Sequence, residues 1–220
     1  MEKYIKTLAE CLLFKGMSVS DINLVLPFLK PNIRKYKKGE NVATMGDMIK
    51  DVCILLQGEI YMVYENIYGA RTLISRRLPK DSFFEAFCFA GAEIPVNARV
   101  KADSIVMFIP CENITNMPQF LSRHHIKMLH NVVCTMSHKV SGEIFKQLKH
   151  TQGYSVRVKI LSYLNEQKAK YGKNEFVIDI SKTDLASYLM VDRTSLHKEL
   201  ALMKKDGLIN FKDRKFTIKT

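Results

Sequence analysis

The residues best suited to chemistry in this chain are polar side chains that cluster between positions 193 and 198. They are Arg193, Thr194, Ser195, His197 and Lys198. If a helix begins at Arg193, most of these side chains share one outward face near its first turn. Their donors and acceptors match base edges and phosphates, and a helix that enters the major groove presents its N-terminal residues to the bases. The cluster therefore predicts a DNA-contacting surface, to which we add Ser181.

Two short helices joined by a tight turn must position this surface. Ser181 is placed to cap the first helix, with Asp184 returning a hydrogen bond, and Asp192 is placed to cap the second. Met190 and Val191 form the turn between them. The predicted inward faces are Leu185, Ala186 and Leu189 on the first helix, and Leu196, Leu200 and Met203 on the second. The spacing is that of a helix-turn-helix.

An ordinary helical hairpin with a solvated polar face would give the same local pattern, but the flanking segments favour a winged helix. Gly207 follows the second helix, and residues 208–211 and 215–219 predict a hairpin. Upstream, residues 155–171 have helical periodicity and residues 176–180 predict a strand. Helix, strand, helix, turn, helix and hairpin follow one another in the order of a winged helix-turn-helix.

Charge supports a polyanionic partner. The 220 residues carry a formal net charge of +12. Residues 151–220 hold 14 basic and 8 acidic residues, a net +6, whereas residues 1–150 hold 20 and 14, also +6 over twice the length. An anionic membrane surface would attract the same charge. Because neither a leader pattern nor a long apolar run is evident, we expect a cytoplasmic protein without membrane segments.

Periodicity divides the chain into three parts. Residues 1–118 begin with helices up to about position 29 and continue as short strands punctuated by glycine, which predicts a β-sandwich of the jelly-roll type. Residues 119–150 predict one long helix, and residues 151–220 the winged helix-turn-helix domain. The expected fold class is therefore α+β.

The long helix carries a seam with nearly heptad spacing. Its members are Ile126, Leu129, Val133, Met136, Val140, Ile144 and Leu148. Such a seam between two domains favours a dimerisation helix over a core helix of one domain. A homodimer formed through residues 119–150 would present two recognition helices, and therefore predicts a palindromic operator in double-stranded DNA.

Sandwich, long helix and winged helix in this order resemble the Crp/Fnr family of bacterial transcription regulators. The resemblance spans nearly the whole chain and is carried by the helix-turn-helix and by six other blocks. These are LLFKGMS (12–18), YKKGENVATMGD (36–47), ILLQGEIYMV (54–63), LPKDSFFE (78–85), NARVKADSIVMFIP (97–110) and SVRVKILSYL (155–164). The resemblance implies a cyclic-nucleotide-binding-like sensory domain. If the protein activates transcription, it also implies contact with RNA polymerase.

The implied effector pocket departs from the cyclic AMP pattern. Glu85 keeps the family's carboxylate, but Phe84 replaces the glycine before it, and Val96 and Asn97 stand where the arginine and its following hydroxyl residue belong. Ile144 and Phe145 replace hydroxyl side chains on the long helix, and Arg99 is one candidate substitute for the missing arginine. We therefore expect that the effector is not cyclic AMP. An unknown apolar effector and a pocket filled by its own side chains both remain open.

The other possible chemistries have weak support. Glu85 is a lone carboxylate, and no nucleophile elbow, P-loop, zincin motif or dinucleotide fingerprint occurs, so we predict neither an enzyme nor a catalytic residue. The five cysteines are scattered, which argues against an iron–sulfur cluster, although Cys11 and Cys134 could form a redox-sensing pair. No metal site and no cofactor is predicted.

Two functions follow from these patterns. The first is a homodimeric, sequence-specific DNA-binding transcription regulator. The second is a ligand-binding or protein-interaction module whose winged domain docks on protein. Because Thr194 and Lys198 differ from the glutamate and arginine of many family members, we do not expect the usual family half-site.

Overall fold

A computed structural model describes the backbone of residues 2–151 and 155–219 and the side chains of residues 3–142 and 155–219. Contacts divide the chain into two compact units, one of residues 1–70 and 74–141 and one of residues 71–73 and 142–220. We describe each unit separately. The predicted domain boundaries after residues 118 and 150 stay predictions.

The first unit opens with short helices. A 3-10 turn at Glu2–Tyr4 precedes helix α1 (Ile5–Glu10), a second turn spans Leu12–Phe14, and helix α2 covers Val19–Leu29. Ser18 caps α2 in a complete capping box, because its hydroxyl accepts from the Asp21 N–H while the Asp21 carboxylate accepts from the Ser18 N–H. The predicted helical start of the chain is thus confirmed.

A six-stranded antiparallel sheet follows. Its strands are β1 (Asn32–Tyr36), β2 (Asn41–Ala43), β3 (Asp51–Glu65), β4 (Arg71–Arg77), β5 (Ser82–Phe83) and β6 (Asn97–Pro110), with helix α3 (Glu85–Ala90) between the last two. The order is β1-β6-β3-β4, with β2 paired to β6 and β5 to β3. Register shifts between Leu55 and Ile60 bend the long strands, as bulges do, and help the sheet to fold into the predicted β-sandwich.

Strands β3 and β6 are buried on both faces where residues 52–56 lie beside residues 106–109. One face encloses the sandwich interior, to which Leu55, Met62 and Val106 belong. The opposite face carries Ile54 and Met107 and packs against the surrounding helices. We call the sandwich interior the inner core and the cluster on this opposite face the outer core. Neighbouring residues on one strand therefore enter two different cores. This is the reason that residues 52–56 of β3 and 105–109 of β6 are continuously apolar instead of alternating.

The long helix lies against the outer core. Helix α4 (Cys111–Thr115) and a 3-10 turn at Gln119–Leu121 lead into helix α5 (Ser122–Thr151). Met128 and Val132 are buried in the outer core, and the Asn131 side chain donates to the backbone carbonyls of Leu13 and Lys15 at 3.0 and 2.9 Å. The sequence placed this helix at 119–150, in agreement with the structure.

The second unit has the winged-helix order. Helix α6 (Val156–Tyr171), strand β7 (Glu175–Val177), helix α7 (Lys182–Tyr188) and helix α8 (Arg193–Lys205) precede strands β8 (Ile209–Lys212) and β9 (Lys215–Ile218). The strands form a sheet in the order β7-β9-β8. Strand β7 ends three residues before the predicted Ile180, because the chain must turn there into the capping residue of α7. Ile178 and Ile180 are nevertheless buried.

The core of this unit depends on the inward face of α8. Leu196, Leu200 and Met203 are fully buried among side chains of α6, α7 and the sheet. Replacing Leu200 with alanine should lower the free energy of unfolding by about 2–5 kcal/mol, through lost burial and the cavity left behind. Urea unfolding followed by circular dichroism measures this. The control is Leu202→Ala on the exposed side of the same helix, and an equal effect of both variants would contradict the packing.

Candidate functional site

The first helix of the helix-turn-helix is capped as the sequence predicts. The Ser181 hydroxyl accepts from the Asp184 N–H at 3.1 Å. The reciprocal bond differs from the expected one, because the Asp184 carboxylate accepts from the Ser181 hydroxyl at 2.8 Å. The Ser181 side chain is therefore already engaged within its helix, and its contact with DNA stays a prediction.

The turn fixes where the second helix begins. Met190 adopts a left-handed conformation with φ of 51°, and the Val191 N–H donates to the Ala186 carbonyl at 3.0 Å. Asp192 then caps α8, accepting from the Ser195 N–H at 2.9 Å. This backbone hydrogen bond lowers the pKa of the Asp192 carboxyl below its usual value, so the cap is ionised at neutral pH.

Five of the six predicted DNA-contacting residues, all except Ser181, lie together on the exposed side of α8. Arg193 is the first residue of the helix, and Thr194, Ser195, His197 and Lys198 are all solvent-exposed. The intervening Leu196 is fully buried, which fixes the rotation of the helix about its axis. The arrangement presents two cationic side chains and three polar ones on the first turns of one helix, as major-groove recognition requires.

A second anchor of α8 was missed by the sequence analysis. Arg157 on α6 donates from Nε to Glu199 at 2.5 Å, and its Nη2 pairs with Asp206 at 2.7 Å. The guanidinium therefore ties α6 to the middle and the C-terminal end of α8. Neither partner is near Arg157 in sequence, since Glu199 lies 42 positions away and Asp206 still further. Only the packing of α6 against α8 brings them within reach.

Further basic residues lie on and around the hairpin that follows α8. Lys182 lies over the ring of Phe211 with its Nζ 4.6 Å from the ring centroid, and Lys204 lies over the same ring at 5.4 Å. Arg214 is exposed at the tip of the hairpin. These side chains extend the positive surface beyond α8, and phosphates attract such a surface whatever the base sequence.

The sandwich interior contains the predicted Phe84 in an unusual conformation. Phe84 precedes α3 with φ of 70°, in the left-handed region that glycine favours. Its ring is buried in the inner core and meets the Phe83 ring edge to face at a centroid distance of 5.0 Å. Phe84 thus fills interior volume with its own side chain while keeping a backbone conformation suited to glycine.

Glu85 has a cationic partner, so the expectation of a lone carboxylate was wrong. Lys139 of α5 donates to both carboxylate oxygens at 2.8 Å and to the Ser82 carbonyl at 2.7 Å. The Glu85 side chain is 4% exposed and that of Lys139 34% exposed. Burial lowers the pKa of Lys139, and the negative charge of Glu85 opposes that shift. The partners are 54 residues apart, and no local pattern in the sequence links them.

The remaining predicted pocket residues do not converge. Val96 packs against the inner core, whereas the Asn97 side chain accepts from the Met45 N–H at 2.9 Å. Arg99 stands between Ala98 and Val100, whose side chains enter the interior, and is therefore directed to the outer face of β6. Ile144 and Phe145 lie in the stretch of α5 whose side chains are outside the described residues.

The cysteines are buried or lie close to other polar atoms of the fold. Burial raises the pKa of the Cys11 thiol to about 12, which keeps it protonated. The Cys134 sulfur lies 3.4 Å from Nε2 of His130, and the Cys111 thiol donates to the Cys88 carbonyl at 3.6 Å.

Among the described side chains, no group of three or more His, Cys, Asp or Glu is arranged to hold a metal ion.

Two stretches of the chain match known families. Residues 33–119 match the cyclic nucleotide-binding domain, and residues 158–220 match the Crp-like helix-turn-helix domain. Together these 87 and 63 residues make up about two thirds of the 220. No curated protein matches the chain in sequence.

Several solved structures share the fold. The c-di-GMP responsive global regulator CLP of Xanthomonas campestris has a TM-score of 0.76 at 15% identity, with 92% of this chain and 100% of that chain covered. FixK2 of Bradyrhizobium japonicum has a TM-score of 0.67 at 13% identity, with 86% and 93% covered. The catabolite activator protein of Thermus thermophilus has a TM-score of 0.55 at 16% identity, with 94% and 93% covered. At these identities the likeness concerns the fold alone.

Within the described part of the chain, no helix is both long enough and apolar enough to cross a bilayer.

Breaking the pair between Glu85 and Lys139 should destabilise the first unit. In Lys139→Met the buried Glu85 carboxylate loses its counter-charge, which costs 3–5 kcal/mol when a pair is fully buried. Because the Lys139 side chain is about one third exposed, we expect a loss of about 2 kcal/mol in the free energy of unfolding, measured by urea titration.

Two variants complete this test. Lys127→Met, at an exposed lysine of the same helix, should change stability much less. Adding Glu85→Gln to Lys139→Met should restore part of the loss, because no uncompensated charge is then buried. Equal stability of Lys139→Met and the control would mean that the pair contributes nothing.

Proposed function

Because the chain belongs to the Crp/Fnr family of transcription regulators, we propose that it is a homodimer that binds a palindromic DNA operator through α8. The observation that carries the proposal is the exposed first turn of α8, held in place by the Asp192 cap, the buried Leu196 and the Arg157 anchor. A regulator of this kind works where chromosomal DNA lies, so we propose a cytoplasmic location. RNA polymerase is a partner if the protein activates transcription.

Each residue of the exposed face has a proposed role. Arg193 is suited to a bidentate contact with guanine, and Lys198 to a phosphate or guanine. Thr194, Ser195 and His197 are suited to base edges or to the sugar-phosphate backbone. The Asp192 carboxylate is already hydrogen-bonded to the backbone of the first turn, so the backbone that carries these side chains is fixed before DNA binds. Binding therefore costs little backbone conformational entropy at this turn.

The proposed dimer interface is an apolar stripe on α5. Ile126, Val133 and Val140 recur every seven residues and are 67%, 62% and 57% exposed. Leu129 and Met136, two further members of the seam, instead pack partly against the outer core. The side chains of Ile144 and Leu148 lie outside the described residues. A stripe of branched apolar side chains at heptad spacing, left uncovered by its own chain, suits pairing with the same stripe of a second copy.

Dimerisation has a consequence for the operator. A two-fold axis relates the two α8 helices, so each reads one half of a palindrome, with half-sites about 34 Å apart along the DNA.

We propose that the sandwich does not respond to cyclic AMP. The family's glycine position is filled by a buried phenyl ring, and the carboxylate suited to a ribose hydroxyl is held by Lys139 through two hydrogen bonds. A nucleotide would have to displace a charge-assisted pair and would find no arginine at Val96 for its phosphate. A constitutive DNA-binding state, or a different effector, fits these residues better.

Selection of bound sequences from a random pool of duplexes tests the proposal directly. A regulator of this type enriches palindromic sequences with two half-sites one helical turn apart. Enrichment of no sequence, with weak binding that disappears at moderate salt, would instead favour a winged domain that docks on protein.

Replacing Val133 with glutamate should dissociate the dimer, because it places two like charges in an apolar seam. Sedimentation equilibrium at micromolar concentration should give the mass of the dimer for the unmodified chain and of the monomer for Val133→Glu. The matched control is Val19→Glu at an exposed valine of α2, which should remain dimeric. A dimer in both variants would exclude this stripe as the interface.

Replacing Arg193 with alanine should weaken binding to the selected operator by roughly 5- to 150-fold, as the loss of one bidentate base contact predicts, and relax the preference at one base pair per half-site. Fluorescence anisotropy with the operator and its single-base variants measures both effects. Lys205→Ala, in the last turn of α8, is the control and should keep the base preference. If Arg193→Ala only reduces the salt dependence of binding, Arg193 contacts a phosphate instead.

A further inference from the structure

A cavity of about 220 Å³ lies between the N-terminal segment and α5. Its polar lining consists of Lys15, Lys127, His130, Asn131, Thr135 and His138. All six belong to the first compact unit, and neither Glu85 nor the residues of α8 line the cavity.

The walls of the cavity are fixed by specific contacts. Asn131 is buried and donates to the carbonyls of Leu13 and Lys15, which anchors the N-terminal segment beside α5. Gly16 has φ of 73°, and a Cβ there would lie 3.0 Å from both Cε and Nζ of Lys127. The absence of a side chain at Gly16 therefore lets the Lys127 ammonium lie close against the backbone at the edge of the cavity.

The lining is cationic and carries no counter-charge. Lys15 and Lys127 contribute two ammonium groups, and His130 and His138 two imidazoles, whereas no Asp or Glu lines the cavity. Among the described side chains, neither lysine forms an ion pair. Both lysines are exposed, so water screens their mutual repulsion, and an anion placed between them would pair with both.

A buried polar group points to the same place. Thr135 lines the cavity, is 2% exposed, and its hydroxyl is buried without a hydrogen-bond partner among the described residues. Buried hydroxyls in native proteins are nearly always paired, and an oxygen atom held in the cavity is a suitable partner for this one. An anionic oxygen would accept from this hydroxyl as well as from the lysines.

We propose that this cavity binds a small anion that bears two phosphate or carboxylate groups. The volume corresponds to about seven water molecules at roughly 30 Å³ each, so the ligand has on the order of ten non-hydrogen atoms. One anionic group pairs with Lys15 and Lys127, and the other is within reach of the imidazole side of the cavity.

The site adjoins the proposed dimer interface. His130 follows Ile126 by four residues and precedes Val133 by three, so these three side chains neighbour one another on α5. An anion in the cavity would tie the N-terminal segment to the helix that carries the apolar stripe. Binding of the anion stands independently of the proposed function, whereas any effect on DNA binding rests on it.

Isothermal titration calorimetry of the full chain without DNA tests the site. Inorganic pyrophosphate probes the phosphate class and malonate the carboxylate class, and the tighter of the two identifies the preferred group. In Lys15→Gln/Lys127→Gln, binding should weaken at least tenfold. The control Lys6→Gln/Lys50→Gln removes the same charge from exposed lysines that do not line the cavity and should change binding less than twofold.

A local readout separates this cavity from the positive surface around α8. Cys134 lines the cavity, whereas the comparably accessible Cys111 does not. Saturating pyrophosphate or malonate should slow alkylation of Cys134 by iodoacetamide at least threefold and leave Cys111 unchanged, as measured by peptide mass spectrometry. Absence of binding by both probes, equal losses in the two double variants, or no protection of Cys134 would each overturn the proposal.

Discussion

The burial of strands β3 and β6 on both faces is the constraint on which the first unit depends. A strand with one buried face would leave the sandwich and the helices as separate layers. Here adjacent residues such as Ile54 and Leu55 enter different cores, so a displacement of either core is transmitted through one backbone. Helix α5 packs on the outer core through Met128 and Val132 and cannot rotate without exposing them. The orientation of its apolar stripe therefore follows from the packing of the sheet.

The same packing explains which parts of the molecule the sequence predicts. The caps at Ser181 and Asp192 and the inward face of α8 are local patterns, with partners three or four residues apart, and both were found at the expected positions. Strand β7 was predicted too long because buried apolar residues continue past its last ladder residue, and burial alone does not distinguish a strand from an extended connection.

The contacts that the sequence did not predict join distant segments. Lys139 reaches Glu85 and Arg157 reaches Glu199 only after whole elements have packed, so their spacing along the chain carries no signal. The cavity beside α5 is a similar case, since its lining comes from a turn near residue 15 and from three turns of a helix more than a hundred residues later. A sequence pattern predicts that charged residues on a helix are exposed to solvent, and it does not show which of them line a cavity or pair with a distant residue.

Phe84 combines a left-handed backbone conformation, which glycine favours, with a large buried side chain. A left-handed conformation costs a residue with a Cβ about 1–2 kcal/mol, and burial of the phenyl ring in the inner core offsets that cost. The loop before α3 already has the shape that a glycine would adopt without strain. For protein engineering this makes residue 84 a suitable position for substitution. Exchanging one side chain vacates the volume of an aromatic ring and leaves the loop intact, so a binding chamber could be designed into the sandwich without rebuilding its backbone.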